Sequence, residues 1–302
     1  MKRLFTAAFL CLLGFPFAGF AKAQSRPAIT GIAFARFYTT DAAGAQRFYG
    51  EELGFQRHEA GGEIVYPVNR LQWLEITPRT PPKANDRLEA VAFMTRDAVG
   101  LETYLKAKGV AIAEPMHGGE FGVRDPEGNL VIFVQSGTTP MGKAETVSAH
   151  ATSERIIHVG FLVQSRAKED AFWKGILGFR PYWYGGQKAD TDVDYVSLQV
   201  PDGTDWLEYM LNQPPDVNLR QHGVMNHFSL GVEAMDSAVK KLAANQCTGP
   251  ECSKTQVGRD GKVQLNLYDP DMTRVEFMEF KPSAKVCCSP FTGKHPTETE
   301  DK

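Results

Sequence analysis

The chain has 302 residues, of which 42% are hydrophobic and 23% charged, and its formal net charge is −3. With no Arg-rich segment or basic patch, that balance speaks against nucleic acid as a partner. The length suits about two domains, and only the N-terminal stretch is long and apolar enough to bear on a membrane.

Taken in chain order, a basic "MKR" leads into "LFTAAFLCLLGFPFAGF" and then "AKA" at 21–23, just before Gln24. Polar sequence follows at once, so residues 1–23 read as a secretory signal peptide rather than a retained anchor. Its removal takes Lys2, Arg3 and Lys22 and no acid, which moves the charge from −3 to −6. The mature protein is therefore expected to be exported, periplasmic or secreted, and free of the membrane. Cys11 leaves with the signal, while Cys247, Cys252, Cys287 and Cys288 stay. In an oxidising compartment these point to two disulfides, in any of three connectivities. Zinc is the weaker reading, because the adjacent Cys287 and Cys288 cannot easily both ligate one tetrahedral ion.

The strand-like "ITGIAFARFY" (29–38) precedes "DAAGAQRFYGEELGF" (41–55), whose apolar residues fall at helical spacing and whose Gly54 is placed to end the helix. Short strands follow, ending in "QWLEI" (72–76). The pattern recurs as "RIIHVGFLVQ" (155–164), "SRAKEDAFWKGILGF" (165–179) with Gly178, and "DWLEYML" (205–211). A second unit, strand then amphipathic helix, appears as "LEAVAFMTRDAVGLETYLKAKGV" (88–110) and "MNHFSLGVEAMDSAVKKLAANQ" (225–246). Each copy ends on a strand after an Asp-Pro turn, "VRDPEGNLVIFVQ" (123–135) and "LYDPDMTRVEFMEF" (267–280). The repeat predicts an α+β fold of four βαβββ modules, A-B-A′-B′, forming two mixed-sheet domains over 24–136 and 155–281. A polar linker, 137–154, joins them. The Cys-containing tail, 282–302, lacks periodicity and is expected to be extended or disordered beyond its cysteines.

The "LGF" helix ends, the terminal "DPDMTRVEF" strand and the repeat order resemble the vicinal oxygen chelate superfamily, which includes glyoxalase I, fosfomycin resistance proteins and extradiol dioxygenases. The resemblance covers residues 29–280. It implies one divalent metal ion (Zn, Ni, Mn or Fe) inside a curled sheet, with ligands from the first and last strand of each module. In the second half those strands offer His158, Glu208, His227 and Glu276, separated by 50, 19 and 49 residues. If A′ pairs with B′, all four meet at one centre, whereas pairing A with B′ would leave each centre half empty. In the first half the matching positions read Gly31, Glu75, Ala90 and Ile132, so only the acid persists. That half is expected to be a structural partner. Because Glu75 survives without partners, Glu208 is either a ligand or an inherited strand residue. His58, His117, His150, His222 and His295 lie off the site strands and are expected at the surface.

Three activities follow from the resemblance. The first, and the one expected, is a glyoxalase-like lyase or isomerase at the His158/Glu208/His227/Glu276 centre, with Glu208 and Glu276 as catalytic carboxylates, one of which moves a proton. The second is an extradiol-type ring-cleaving dioxygenase, with Fe(II) on His158, His227 and Glu276. Against the second, no histidine lies between His158 and His222, and the expected tyrosine position holds Asn266, with Tyr268 two residues on. The third is a non-catalytic binding or resistance protein, with "RPYWYGG" (180–186) lining its cleft. Each takes a small-molecule partner, and the sequence leaves an oligomer open.

Overall fold

The computed structural model describes residues 25–140 and 148–299, so the segment read as a signal peptide and residues 141–147 of the linker lie outside the described residues. Module A runs β1 (Ile29–Tyr38), α1 (Ala42–Ala45, continuing in the wider turns of Gln46–Glu52), β2 (His58–Ala60), β3 (Glu63–Pro67) and β4 (Trp73–Thr77). Module B runs β5 (Leu88–Thr95), α2 (Ala98–Ala107), β6 (Ile112–His117), β7 (Glu120–Arg124) and β8 (Leu130–Gln135). Module A′ repeats the first with β9 (Ile156–Leu162), α3 (Arg166–Asp170, continuing as Ala171–Ile176), β10 (Arg180–Gly185), β11 (Tyr195–Gln199) and β12 (Trp206–Met210). After α4 (Leu219–Met225), module B′ runs β13 (His227–Val232), α5 (Met235–Ala244), β14 (Thr255–Val257), β15 (Val263–Tyr268) and β16 (Arg274–Glu279).

Local chemistry fixes the helix ends. Asp41 caps α1 by accepting from Gly44 N at 2.8 Å. Gly54 closes it at φ 74°, a left-handed turn that lets Phe55 N reach back to Tyr49 O at 3.1 Å. A Cβ at Gly54 would also sit 2.1 Å from His150 O, so glycine is needed for space as well.

One eight-stranded sheet has the order β2-β3-β4-β1-β5-β8-β7-β6 and the other β10-β11-β12-β9-β13-β16-β15-β14. A therefore pairs with B and A′ with B′, which places the first and last strands of every module side by side at the sheet centres. Both sheets are mixed: β9 runs parallel to β12 and antiparallel to β13.

The helices and the outer sheet faces share an apolar core across the two halves, with Phe37 against Phe228 (5.8 Å between ring centroids) and Phe93 against Trp173 (5.5 Å). Each Asp-Pro turn docks into the opposite half. Tyr49 donates to Asp269 at 2.9 Å and Arg87 pairs with Asp271 at 3.0 Å. In the mirror contact Glu127 accepts from the Gln164 and Ser165 amides.

The tail is irregular in backbone. Residues 281–299 contain no helix or strand but are fastened along β10. Ser289 Oγ bonds both the amide and the carbonyl of Tyr184, Thr292 Oγ1 donates to Pro181 O, and buried Arg155 donates to Thr297 O. Aromatic contacts that sequence periodicity does not report, Phe291 and His295 against Tyr182, supply the apolar contact. Of the three connectivities, the structure has Cys247–Cys252 and the adjacent pair Cys287–Cys288. No helix among the described residues is long and apolar enough to cross a membrane.

Candidate metal centre

Side chains alternate across a strand, so one parity of each central strand faces the concave side. In the second sheet that parity presents His158 from β9, Glu208 from β12, His227 from β13 and Glu276 from β16. His158 Nε2 lies 3.0 Å from His227 Nε2 and 3.1 Å from Glu276 Oε2, and His227 Nε2 lies 3.8 Å from the same oxygen. All three residues are buried, and their ligand atoms fall within 4.8 Å of one another.

His227 is held neutral. Its Nδ1 sits 2.9 Å from Met225 O, which fixes that nitrogen as the donor and turns the Nε2 lone pair inward. Burial, Arg274 and His158 together hold its pKa well below the usual range. Glu276 is pulled up by burial but more strongly down by Arg274 and His158, and it stays ionised. The His227 ring fits because β9 carries Gly160 opposite it in register. A Cβ at Gly160 would lie 2.2 Å from His227 Cε1.

Glu208 reaches the centre's edge. Its Oε2 is 3.8 Å from His227 Nε2, and its Oε1 is 3.2 Å from Ser197 Oγ, but it stands outside the set of mutually converging ligand atoms. Burial raises its pKa, opposed by His158 and reinforced by Glu276. It lines a cavity of about 410 Å³ together with Tyr195, Trp206, Arg274, Glu276 and Phe291.

The first sheet shows what this position becomes without ligands. Trp206 pairs with His158 and Glu208 with Gly160, whereas Trp73 pairs with Phe34 and Glu75 with Arg36. The counterpart of His158 is therefore Phe34, three residues from the Gly31 that sequence alignment picks. Ala90 and Ile132 do occupy the places of His227 and Glu276. Arg36 takes Gly160's place and meets Glu75 at 2.5 Å, while Trp73 Nε1 donates to Glu75 at 2.7 Å. An ion pair thus satisfies the carboxylate there, which answers its burial.

The donor set of the second sheet fits a divalent ion. Ligands bound at about 2.1 Å stand about 3.0 Å apart at right angles and about 3.4 Å apart in a tetrahedron, and two of the three separations match the first figure. Arg274 Nη2 also donates to His227 Nε2 at 2.7 Å, so an ion at this lone pair requires the guanidinium to withdraw. Two imidazoles and one carboxylate on one side of an ion leave positions open on the other.

The remaining sequence candidates scatter. Among the five other histidines, His117 and His150 are exposed, and none belongs to the converging set. His222 and His295 are half-buried rather than superficial. His222 lies 3.7 Å from Asp86, and His295 bonds the Tyr182 hydroxyl at 2.6 Å. Tyr182 and Trp183 of "RPYWYGG" line the cavity, and Asn266 lies opposite Glu276 in register. Arg274 faces inward and lines the cavity, while Glu279 caps α5 through Met235 N. Sequence reasoning missed Tyr195, whose pKa burial and Glu208 push up to about 12, and Lys262. The inward parity of β11 and β15 is the signal that would have found both.

A family model described as the Glyoxalase/Bleomycin resistance protein/Dioxygenase superfamily matches residues 31–133 and again 155–277. Among solved structures, the chain is similar to homoprotocatechuate 2,3-dioxygenase from Brevibacterium fuscum in its anaerobic complex with 3,4-dihydroxyphenylacetate. Identity there is 18%, over 92% of this chain and 86% of that one, with a TM-score of 0.61. The Arthrobacter globiformis enzyme of the same name gives 18%, 87% and 84%, with a TM-score of 0.61. The 2,3-dioxygenase LapB from Pseudomonas sp. KL28 gives 15%, 90% and 96%, with a TM-score of 0.64. Likeness at such identity is a likeness of fold. No curated protein matches the sequence.

Proposed function

Because the chain belongs to the glyoxalase/bleomycin resistance protein/dioxygenase superfamily, we propose that its second half is a mononuclear metalloenzyme of the extradiol ring-cleaving type. In this reading His158, His227 and Glu276 hold one divalent ion and Glu208 moves a proton on a small oxygenated substrate. The observation that carries it is the convergence of three ligand atoms, not four, with Glu208 beside them on the cavity wall. A divalent ion held by such a set would supply Lewis-acid and redox chemistry to a substrate with vicinal oxygens.

The protein's own groups do the rest. Glu208, steadied by Ser197 at 3.2 Å, accepts the proton that a substrate hydroxyl releases. Trp206, Met278 and Tyr182 keep the floor apolar and exclude water. The glyoxalase-like lyase or isomerase remains the second reading, favoured by the same unengaged Glu208, since proton transfer alone suffices for it.

Metal analysis and oxygen uptake separate these readings. The first expects one iron per chain and oxygen consumed in step with a catechol. Turnover of a substrate without oxygen uptake would move the assignment to the isomerase, and a chain that binds no divalent ion would sink both. Export is part of the proposal and is supported by the two cysteine pairs, which suit an oxidising compartment. A mature N-terminus other than Gln24, or retention in the cytoplasm, would overturn it.

A further inference from the structure

Lys262 directly precedes β15 and shares the inward parity of Gln264 and Asn266. It is 0% exposed, and its Nζ has no hydrogen-bond partner among the described residues. Three rings surround that ammonium: Trp206 at 4.5 Å, Phe291 at 5.4 Å and Tyr182 at 5.7 Å from ring centroid to Nζ. All three line the cavity, and Trp206 also lies against His158, 4.8 Å between centroids. The cage and the metal centre are therefore one indole apart.

A buried ammonium is costly unless something compensates it, and aromatic faces return only part of the lost hydration. Asp260 is the nearest acid in sequence, yet its Oδ1 accepts from Lys262's own backbone amide at 3.1 Å. Burial draws the lysine's pKa down to about 8, opposed by Asp260, Glu276 and Glu208, which leaves it charged at neutral pH. Arg274, the other inward cation, is committed to His227, Asn266 and Glu276. Lys262 thus keeps three N–H donors without an acceptor among the described residues, behind the Trp206, Phe291 and Tyr182 rings that wall the substrate cavity.

We propose that Lys262 Nζ is the anion-recognition point of this cavity, and that the substrate carries a carboxylate or comparable anionic group at the end away from its reacting oxygens. The anion enters beside Trp206, with Phe291 on the irregular tail as the side chain that gives way, and the flanking rings contact the substrate's apolar body. The inference rests on the proposed function only for where the reacting end lies.

The test is calorimetric binding of phenylacetate and of neutral phenylacetamide to the metal-loaded mature chain at fixed ionic strength. The wild type is expected to prefer the carboxylate at least tenfold. Lys262→Met should lose that preference while binding the amide as before, and Lys262→Arg should keep it. Equal binding of the two by the wild type, or no binding of either, overturns the proposal. So does a preference that survives in Lys262→Met, which would hand the role to Arg274. Should Lys262→Met not fold, Lys262→Gln, which keeps a donor without the charge, takes its place: the preference is expected to be lost, and its survival overturns the proposal. The assay needs no turnover, so failure of oxygen uptake with catechols leaves its result standing.

Discussion

Replacing Gly160 by alanine should remove the metal without unfolding the protein. Gly160 lies inside β9 and has no left-handed backbone, so alanine suits the strand itself and spares glycine's entropic cost. The added Cβ, however, would stand 2.2 Å from His227 Cε1 and 2.6 Å from Nδ1. Ordinary carbon contacts begin at about 3.5 Å, so the ring must retreat by about 1.3 Å. Metal–ligand distances tolerate about 0.2 Å, and a displacement several times larger takes Nε2 off the ion. Losing one of three protein donors should weaken divalent-metal binding at least ~100-fold, or about 2.7 kcal/mol. Competition against a chelator of known affinity measures the change, with circular dichroism and thermal unfolding as controls for folding. In a His227→Ala background the same change should cost nothing further, because the clash has gone. Stoichiometric metal at wild-type affinity in Gly160→Ala would refute the assignment of His227 as a ligand.

In the first half, Arg36→Met should leave metal content untouched yet destabilise the fold by roughly 2–4 kcal/mol, since it strands Glu75 in an apolar bowl; urea unfolding reads this directly. Glu169 is buried against Trp173, and burial with Asp125 lifts its pKa to about 8. A carboxyl raised on folding binds more protons in the native state, so its stabilisation is complete below about pH 4.5 and lost as pH climbs towards 8. Glu169→Gln should therefore flatten the fall in thermal stability across that window, and an unchanged slope would count against the buried acid. Replacing both Cys247 and Cys252 by serine opens a short loop and should cost about 2 kcal/mol, measured as a lower unfolding midpoint with metal binding intact.

Sequence alone carried the architecture because duplication leaves marks that need no contacts. The "LGF" ends, the two WLE strands and the Asp-Pro turns recur at equivalent places, and alternation within each strand tells which residues share a face. His158, His227, Glu208 and Glu276 were legible for that reason: each lies at the same step of its module. Tertiary structure decided what strands distant in the chain do when they meet. The pairing of β1 with β4 puts Phe34, not Gly31, in the place of His158. The Arg36–Glu75 pair explains how an acid is held there without histidines beside it, and a second carboxylate, Glu208, stands beside the donor set rather than within it. Lys262 and the tail that covers it were invisible in sequence, since a lysine's burial depends on rings contributed by β10, β12 and residue 291. Periodicity is local and survives in one chain read end to end. Convergence of charge is not local, and only the folded sheet brings it about.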